Sequence, residues 1–256
     1  MIELVQLVKR FGDLTAVNDL SLTVPRGEFF AVLGPNAAGK TTTIKMLSGL
    51  LRPSSGQAKI AGFDVQTHPM EARKRMAYVP DFPFLYDKLT TAEFLRFTGQ
   101  IFRMEEKVML RNSDELISRF NLEPYLKKSI EGLSHGTRQR VAIVSALLHD
   151  PEVIILDEPM VGLDPHHARV LKDILKEKTK QGMTVFISTH QLSVAEEMAD
   201  RISIIHHGRL VALGTQEELR RQSGVDGALE LTFLALTAAE ANLVSDHTHA
   251  PVTHAS

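Results

Sequence analysis

The chain has 256 residues, 43% apolar and 23% charged, an ordinary composition for a globular protein with a full core. A formal charge of −2 removes the electrostatic case for nucleic acid or an anionic membrane surface, and the absence of cysteine excludes disulfides, thiolate chemistry and thiolate zinc sites. No apolar run approaches the ~18 residues of a membrane span. Met1-Ile-Glu-Leu-Val has neither a basic n-region nor a cleavage site. The expectation is a cytosolic protein whose membrane role, if any, runs through a partner.

In chain order, residues 1–24 predict short strands. Leu20, Leu22 and Val24 alternate with Ser21 and Thr23, as in a half-buried antiparallel strand. Phe11-Gly12 sits between two of these strands, an aromatic beside a turn. Pro25-Arg26-Gly27 then turns the chain into an apolar run, Phe29 to Leu33, with the character of a buried strand. Gly34-Pro35-Asn36 breaks it, and a helix-compatible run follows through Thr42, Ile44, Leu47 and Leu50.

Within Gly34-Pro35-Asn36-Ala37-Ala38-Gly39-Lys40-Thr41-Thr42, the glycines, Lys40 and Thr41 fall at G-x-x-x-x-G-K-[ST] spacing. Strand, loop and helix in that order describe a P-loop. Its backbone N–H groups and the helix dipole favour a β-phosphate, Lys40 reaches β- and γ-oxygens, and the Thr41 hydroxyl can ligate Mg²⁺.

Residues 57–65 predict a strand pair and Met76–Val79 a short strand. From Thr90 to His149 the pattern is helical. Thr90 with Glu93 forms a capping box, Leu89 with Phe94 a staple, and Phe94, Phe97 and Ile101 keep helical spacing. A second amphipathic run carries Met109, Leu116, Ile117 and Phe120. Ser134 offers an N-cap hydroxyl to a helix with Val141, Val144, Leu147 and Leu148 on its apolar face. Gly136 exposes N–H groups at the positive end of that dipole, either as part of a well-capped helix or as a second anion site, and spacing does not separate the two.

Strands return at Val153–Leu156, Thr184–Ile187 and Ile202–Ile205. Between the first two lies a helix capped by Asp164 with Pro165 at its first position. Near-continuous apolar strands alternating with helices predict a parallel sheet covered on both faces. Asp157 and Glu158 end the first of these strands, at the sheet edge where ligands bind. Asp157 suits Mg²⁺ opposite Thr41, and Glu158 suits a base for water in line with a γ-phosphate. His190 follows the next strand at the same edge, while His166 and His167 read as ordinary first-turn residues. His207-Gly208 reads as a hairpin turn, Thr215 with Glu218 as another capping box, and residues 241–256 as a disordered tail bearing His247, His249 and His254.

Taken together, these segments resemble the ATP-binding cassette of ABC transporters from about Val5 to Leu219. Gly34–Thr42 resembles the family's Walker A, Leu133–Gln139 its signature, and Val153–Glu158 its Walker B with catalytic glutamate. Gly162-Leu163-Asp164 resembles the D-loop, His190 the switch histidine, and Phe11 the aromatic that stacks on adenine. The resemblance implies an α/β P-loop NTPase fold: a mostly parallel RecA-like sheet, an N-terminal antiparallel β-subdomain, and a helical subdomain inserted at about 84–150 within a cassette of residues 1–240.

It implies an ATPase using ATP and Mg²⁺, with Glu158 and His190 catalytic and Thr41, Asp157 and Asp81 near the metal. It also implies a second cassette contributing Ser134, His135 and Gly136 in trans, a separate membrane permease on whose inner face the chain sits, and no nucleic acid. Leu229–Thr237 resembles a C-terminal segment of bacterial exporter cassettes. Three positions depart from the pattern: Ala37 and His135 replace glycines, with Thr137 in place of the signature glutamine, and Asp81 replaces the Q-loop glutamine. These departures keep open an ATP-binding regulatory subunit of an asymmetric pair. A non-transport cassette ATPase is a further alternative, although no second cassette, coiled coil or basic surface is evident. A P-loop kinase fits poorly, because it would lack the signature helix.

Overall fold

The computed structural model describes residues 1–225 and 227–248. The chain begins with β1 (Ile2–Phe11) and β2 (Leu14–Val24), then β3 (Phe29–Leu33), α1 (Lys40–Leu47), β4 (Ser55–Ile60), β5 (Phe63–Asp64), α2 (Pro69–Arg75) and β6 (Met76–Val79). Three longer helices follow without a strand: α3 (Thr91–Ile101), α4 (Glu106–Arg119) and α5 (His135–Leu147). The remainder alternates as β7 (Val153–Asp157), α6 (Pro165–Lys180), β8 (Thr184–Thr189), α7 (Leu192–Met198), β9 (Arg201–His206) and β10 (Arg209–Gly214), ending in α8 (Gln216–Ser223) and α9 (Leu229–Thr248).

Two sheets result. β2-β1-β4-β5 form an antiparallel sheet, and β10-β9-β3-β8-β7-β6 a second sheet that is parallel except at its β9–β10 edge. The second sheet is buried on both faces, as the apolar runs require. All five residues of β3 are buried, and they divide by the two-residue period of a strand. Phe29, Ala31 and Leu33 pack with residues of α3 to α7. Phe30 and Val32 pack with α1 and the antiparallel sheet. β7 and β8 divide the same way, and Phe30 stacks on Phe186 across the sheet with centroids 5.6 Å apart. The molecule is therefore layered, with helices on one face of the parallel sheet and a smaller sheet plus α1 on the other.

Both capping boxes form, at Thr90 with Glu93 and at Thr215 with Glu218, and Asp164 caps α6. Three local expectations change. α1 stops at Leu47, because Gly49 takes φ 71°, and Leu50 is left 63% exposed. Of the three apolar residues expected to share a face in α3, only Phe94 is buried; Phe97 and Ile101 face outward, since α4 and α5 cover one side alone. The expected tail from 241 gives way to α9, whose alanine-rich middle favours helix and which continues to Thr248. His249 and His254 lie outside the described residues.

Candidate functional site

β3 delivers the chain to the P-loop, and backbone crowding dictates its glycines. A Cβ on Gly34 would come within 2.3 Å of the Ile205 carbonyl, and one on Gly39, at φ 105°, within 2.6 Å of the Ala16 carbonyl. Ala37 nevertheless holds φ 63°. Lys40 opens α1 and is buried, its Nζ donating to the carbonyls of Gly34 at 2.7 Å and Pro35 at 3.0 Å. Burial lowers its pKa, and the charges of Glu158 and Asp157 oppose that shift. The ammonium thus fills the space in which the loop closes around its own carbonyls.

Asp157 ends β7 opposite Ser188 of β8, whose Oγ donates to Asp157 Oδ1. One residue on, Glu158 turns to φ 48°, its N–H held by the Ser188 carbonyl at 3.0 Å. That turn aims the carboxylate at the sheet edge. Its Oε1 lies 2.9 Å from His190 Nδ1, and its Oε2 is buried without a partner. Asp81 follows β6 at the same edge. Its carboxyl is pushed up by burial and then by the Asp157 charge, with His135 and His190 pulling it back. Tyr78 is raised too, by burial first, then by Asp157 and Asp81.

A cleft of about 370 Å³ gathers these groups. Phe11, Asn36 to Thr42, Asp81, Asp157 and Glu158 line it. Gly34 and Pro35 do not, their carbonyls being turned to Lys40, and His190 reaches the site through Glu158. Phe11 is 48% exposed at the rim, with the Lys9 ammonium 5.0 Å from its ring centroid, so it is not part of the core. Sequence patterns missed Leu14 and Ala16, which complete the wall, and Ser188, which holds Asp157. Ser188 stands two residues before His190, and that spacing was the available signal.

Among the described residues no three His, Asp or Glu side chains cluster as a metal cage. One buried carboxylate, a second at the rim and the Thr41 hydroxyl instead form the sparse oxygen set that fits Mg²⁺, which takes its other ligands from water and phosphate.

Ser134, Gly136 and Asp164 lie elsewhere. They line a separate cleft of about 200 Å³ with Thr137, Arg140, Gly162 and Leu163. Ser134 Oγ accepts from Thr137 N, capping α5. A Cβ on Gly136 would meet the Gly162 carbonyl at 2.5 Å, and one on Gly162 would meet the His135 ring at 2.3 Å, so the two turns are pressed together. His135 does not line this cleft, and its ring packs 6.0 Å from that of Phe82. A third cleft, about 430 Å³, runs between the β6 edge and α3 and α5; Leu50, Tyr78, Phe84, Phe94 and His149 are in its wall.

Residues 17–161 match the family model described as ABC transporter. The probable multidrug ABC transporter ATP-binding protein YbhF of Escherichia coli (strain K12) is 36% identical over 240 residues, 92% of this chain and 41% of that protein. The chain therefore spans well under half the length of that relative. Among solved structures, an ATP-binding subunit of an ABC transporter superimposes with a TM-score of 0.89 at 35% identity, covering 93% of this chain and 99% of that one. A dimeric ATP-binding cassette in a post-hydrolysis state, bound to ADP and Pi, matches with a TM-score of 0.76 at 25% identity, covering 84% and 98%.

Proposed function

The chain belongs to the ABC transporter family of ATP-binding cassettes, and we propose that it binds and hydrolyses ATP to power transport through a separate membrane permease. The observation that carries the proposal is the convergence of Lys40, Thr41, Asp157 and Glu158 on one cleft at the carboxyl edge of a parallel sheet. The loop N–H groups and the α1 N-terminus receive the β-phosphate. Lys40 exchanges the Gly34 and Pro35 carbonyls for β- and γ-oxygens, trading two neutral acceptors for charged ones. Thr41 and Asp157, with Asp81 beside them, hold Mg²⁺, which when bound neutralises charge on the phosphates. Phe11 offers its exposed face to the adenine ring.

Glu158 is the base. His190 occupies Oε1, and the unpartnered Oε2, buried in the free chain, is the oxygen left to take the proton of the attacking water once the carboxylate turns to the nucleotide. Ser134 and Gly136 line a different cleft from the P-loop of their own chain, which supports an ATP site completed by a second cassette. The dimeric relative supports that arrangement. The permease is proposed to dock over the third cleft, beside the exposed rings of Phe82, Phe84 and Tyr86, which holds the chain at the inner membrane face. No described helix is long and apolar enough to cross a membrane. Export is the proposed direction, supported by the multidrug description of the relative.

The test is phosphate release by the wild-type chain and by Glu158→Gln. Loss of a positioned base lowers turnover by about 10²-fold or more while ATP binding persists; equal rates refute the assignment.

A further inference from the structure

A serine hydroxyl capping a helix can aim its hydrogen inward or outward, and only the outward hydrogen serves an anion. Around Ser134 a chain of contacts from α5 and α6 decides the direction. Arg140 of α5 is buried, at 8% exposure. Its Nη1 donates to the Phe120 carbonyl at 2.7 Å and sits 3.1 Å from His167 Nε2, and its Nη2 donates to Thr137 Oγ1 at 3.0 Å. His167 Nδ1 lies 2.6 Å from Asp164 Oδ2. Thr137 Oγ1 lies 2.9 Å from Ser134 Oγ, which also accepts from Thr137 N at 3.3 Å.

A guanidinium only donates. His167 Nε2 must therefore accept, which leaves Nδ1–H to donate to Asp164. Thr137 Oγ1 likewise accepts from Arg140, and its own hydrogen has Ser134 Oγ as the acceptor in reach. Thr137 is 3% exposed, and leaving that hydrogen unused would strand a buried donor. Ser134 Oγ then accepts twice, from Thr137 N–H and from Thr137 O–H. Its hydrogen remains for a group outside the helix, on the side of the cleft shared with Asp164.

We infer that Thr137, Arg140 and His167 are positioning residues that set the Ser134 hydroxyl as an outward donor to a phosphate held by another cassette, and that this setting is anchored at Asp164 of the D-loop. The inference rests on the proposed function, in which Ser134 meets the ATP of a second chain. Thr137 stands at the departure from the signature glutamine, and in this chain its hydroxyl carries the link.

The experiment follows ATP-driven dimerisation of the full chain carrying Glu158→Gln, by sedimentation with MgATP, beside binding of a fluorescent ATP analogue to the monomer. Thr137→Val keeps shape and removes the hydroxyl. It should raise the ATP needed for half-dimerisation about tenfold, the worth of one hydrogen bond to a charged group, as Ser134→Ala should. Thr137→Ser should stay within about twofold of the parent, and monomer binding should be unchanged in all three. Thr137→Val behaving as the parent while Ser134→Ala is impaired overturns the relay alone. No effect of Ser134→Ala, or no dimer in the parent, overturns the two-cassette site and the relay with it.

Discussion

Ala37 holds φ 63° in the middle of the P-loop, between Gly34 and Gly39, each of which a Cβ would drive into neighbouring backbone. An L-residue in the left-handed region costs roughly 1–2 kcal/mol, so the chain carries strain at the centre of its phosphate cradle. Ala37→Gly relieves the strain and adds unfolded-state entropy, for a net gain of about 1 kcal/mol. Thermal unfolding should show a melting temperature higher by about 2–4 °C, with the P-loop contacts of Lys40 retained. Glu158 is bent the same way, at φ 48°, but there the bend aims the carboxylate at the cleft. Strain of that kind persists where the surroundings hold it, and the Ser188 carbonyl on the Glu158 N–H is that hold.

At the scale of elements, the end of α5 carries a titration that the active cleft does not use. His149 stacks on Phe102, with centroids 3.6 Å apart and planes 10° apart, and its Nε2 donates to the Met76 carbonyl at 3.3 Å. Burial pushes its pKa from 6.5 down to about 4, against weaker support from Met76 and Asp150. Between those values the unfolded chain takes up a proton that the folded chain refuses. His149 therefore adds no penalty above pH 6.5, and stability falls as pH drops from 6.5 toward 4, by at most about 3 kcal/mol. Melting temperatures across that range should fall for the wild type and fall less for His149→Phe, which keeps the ring contact. Parallel slopes would place the titration elsewhere.

The whole molecule presents its P-loop and its signature helix in two different clefts, and in the proposed function a head-to-tail pair of cassettes makes each site from both chains. Complementation tests that geometry. At ATP too low to dimerise the Ser134→Ala chain, Lys40→Ala and Ser134→Ala chains are each expected to be inactive alone. A mixed dimer gathers both lesions in one site and leaves the other intact. Equal mixing should recover about a quarter of wild-type phosphate release if sites act independently. No recovery would mean that one chain builds its own site.

Much of this was legible in the chain. The P-loop spacing, the Asp157-Glu158 pair after an apolar strand, and the caps at Ser134, Thr90, Asp164 and Thr215 are local signals, because a turn, a strand end or a cap is specified by residues within a few positions of one another. Only the tertiary structure decided which of them meet. Ser188 reaches Asp157 through β-sheet register, 31 residues apart, and His190 reaches Glu158 at the same edge. His167, ordinary as the second residue of a pair in a first helical turn, becomes the bridge between Asp164 and Arg140 once α6 is packed beside α5. The exposure of Phe11, Phe97 and Ile101 was also undecided by their spacing, since periodicity marks an apolar face but not whether another element covers it. The chain by itself determined a phosphate-binding α/β cassette; packing decided that its two recognition elements stand apart, because strand order and helix placement are set by long-range burial on both faces of one sheet.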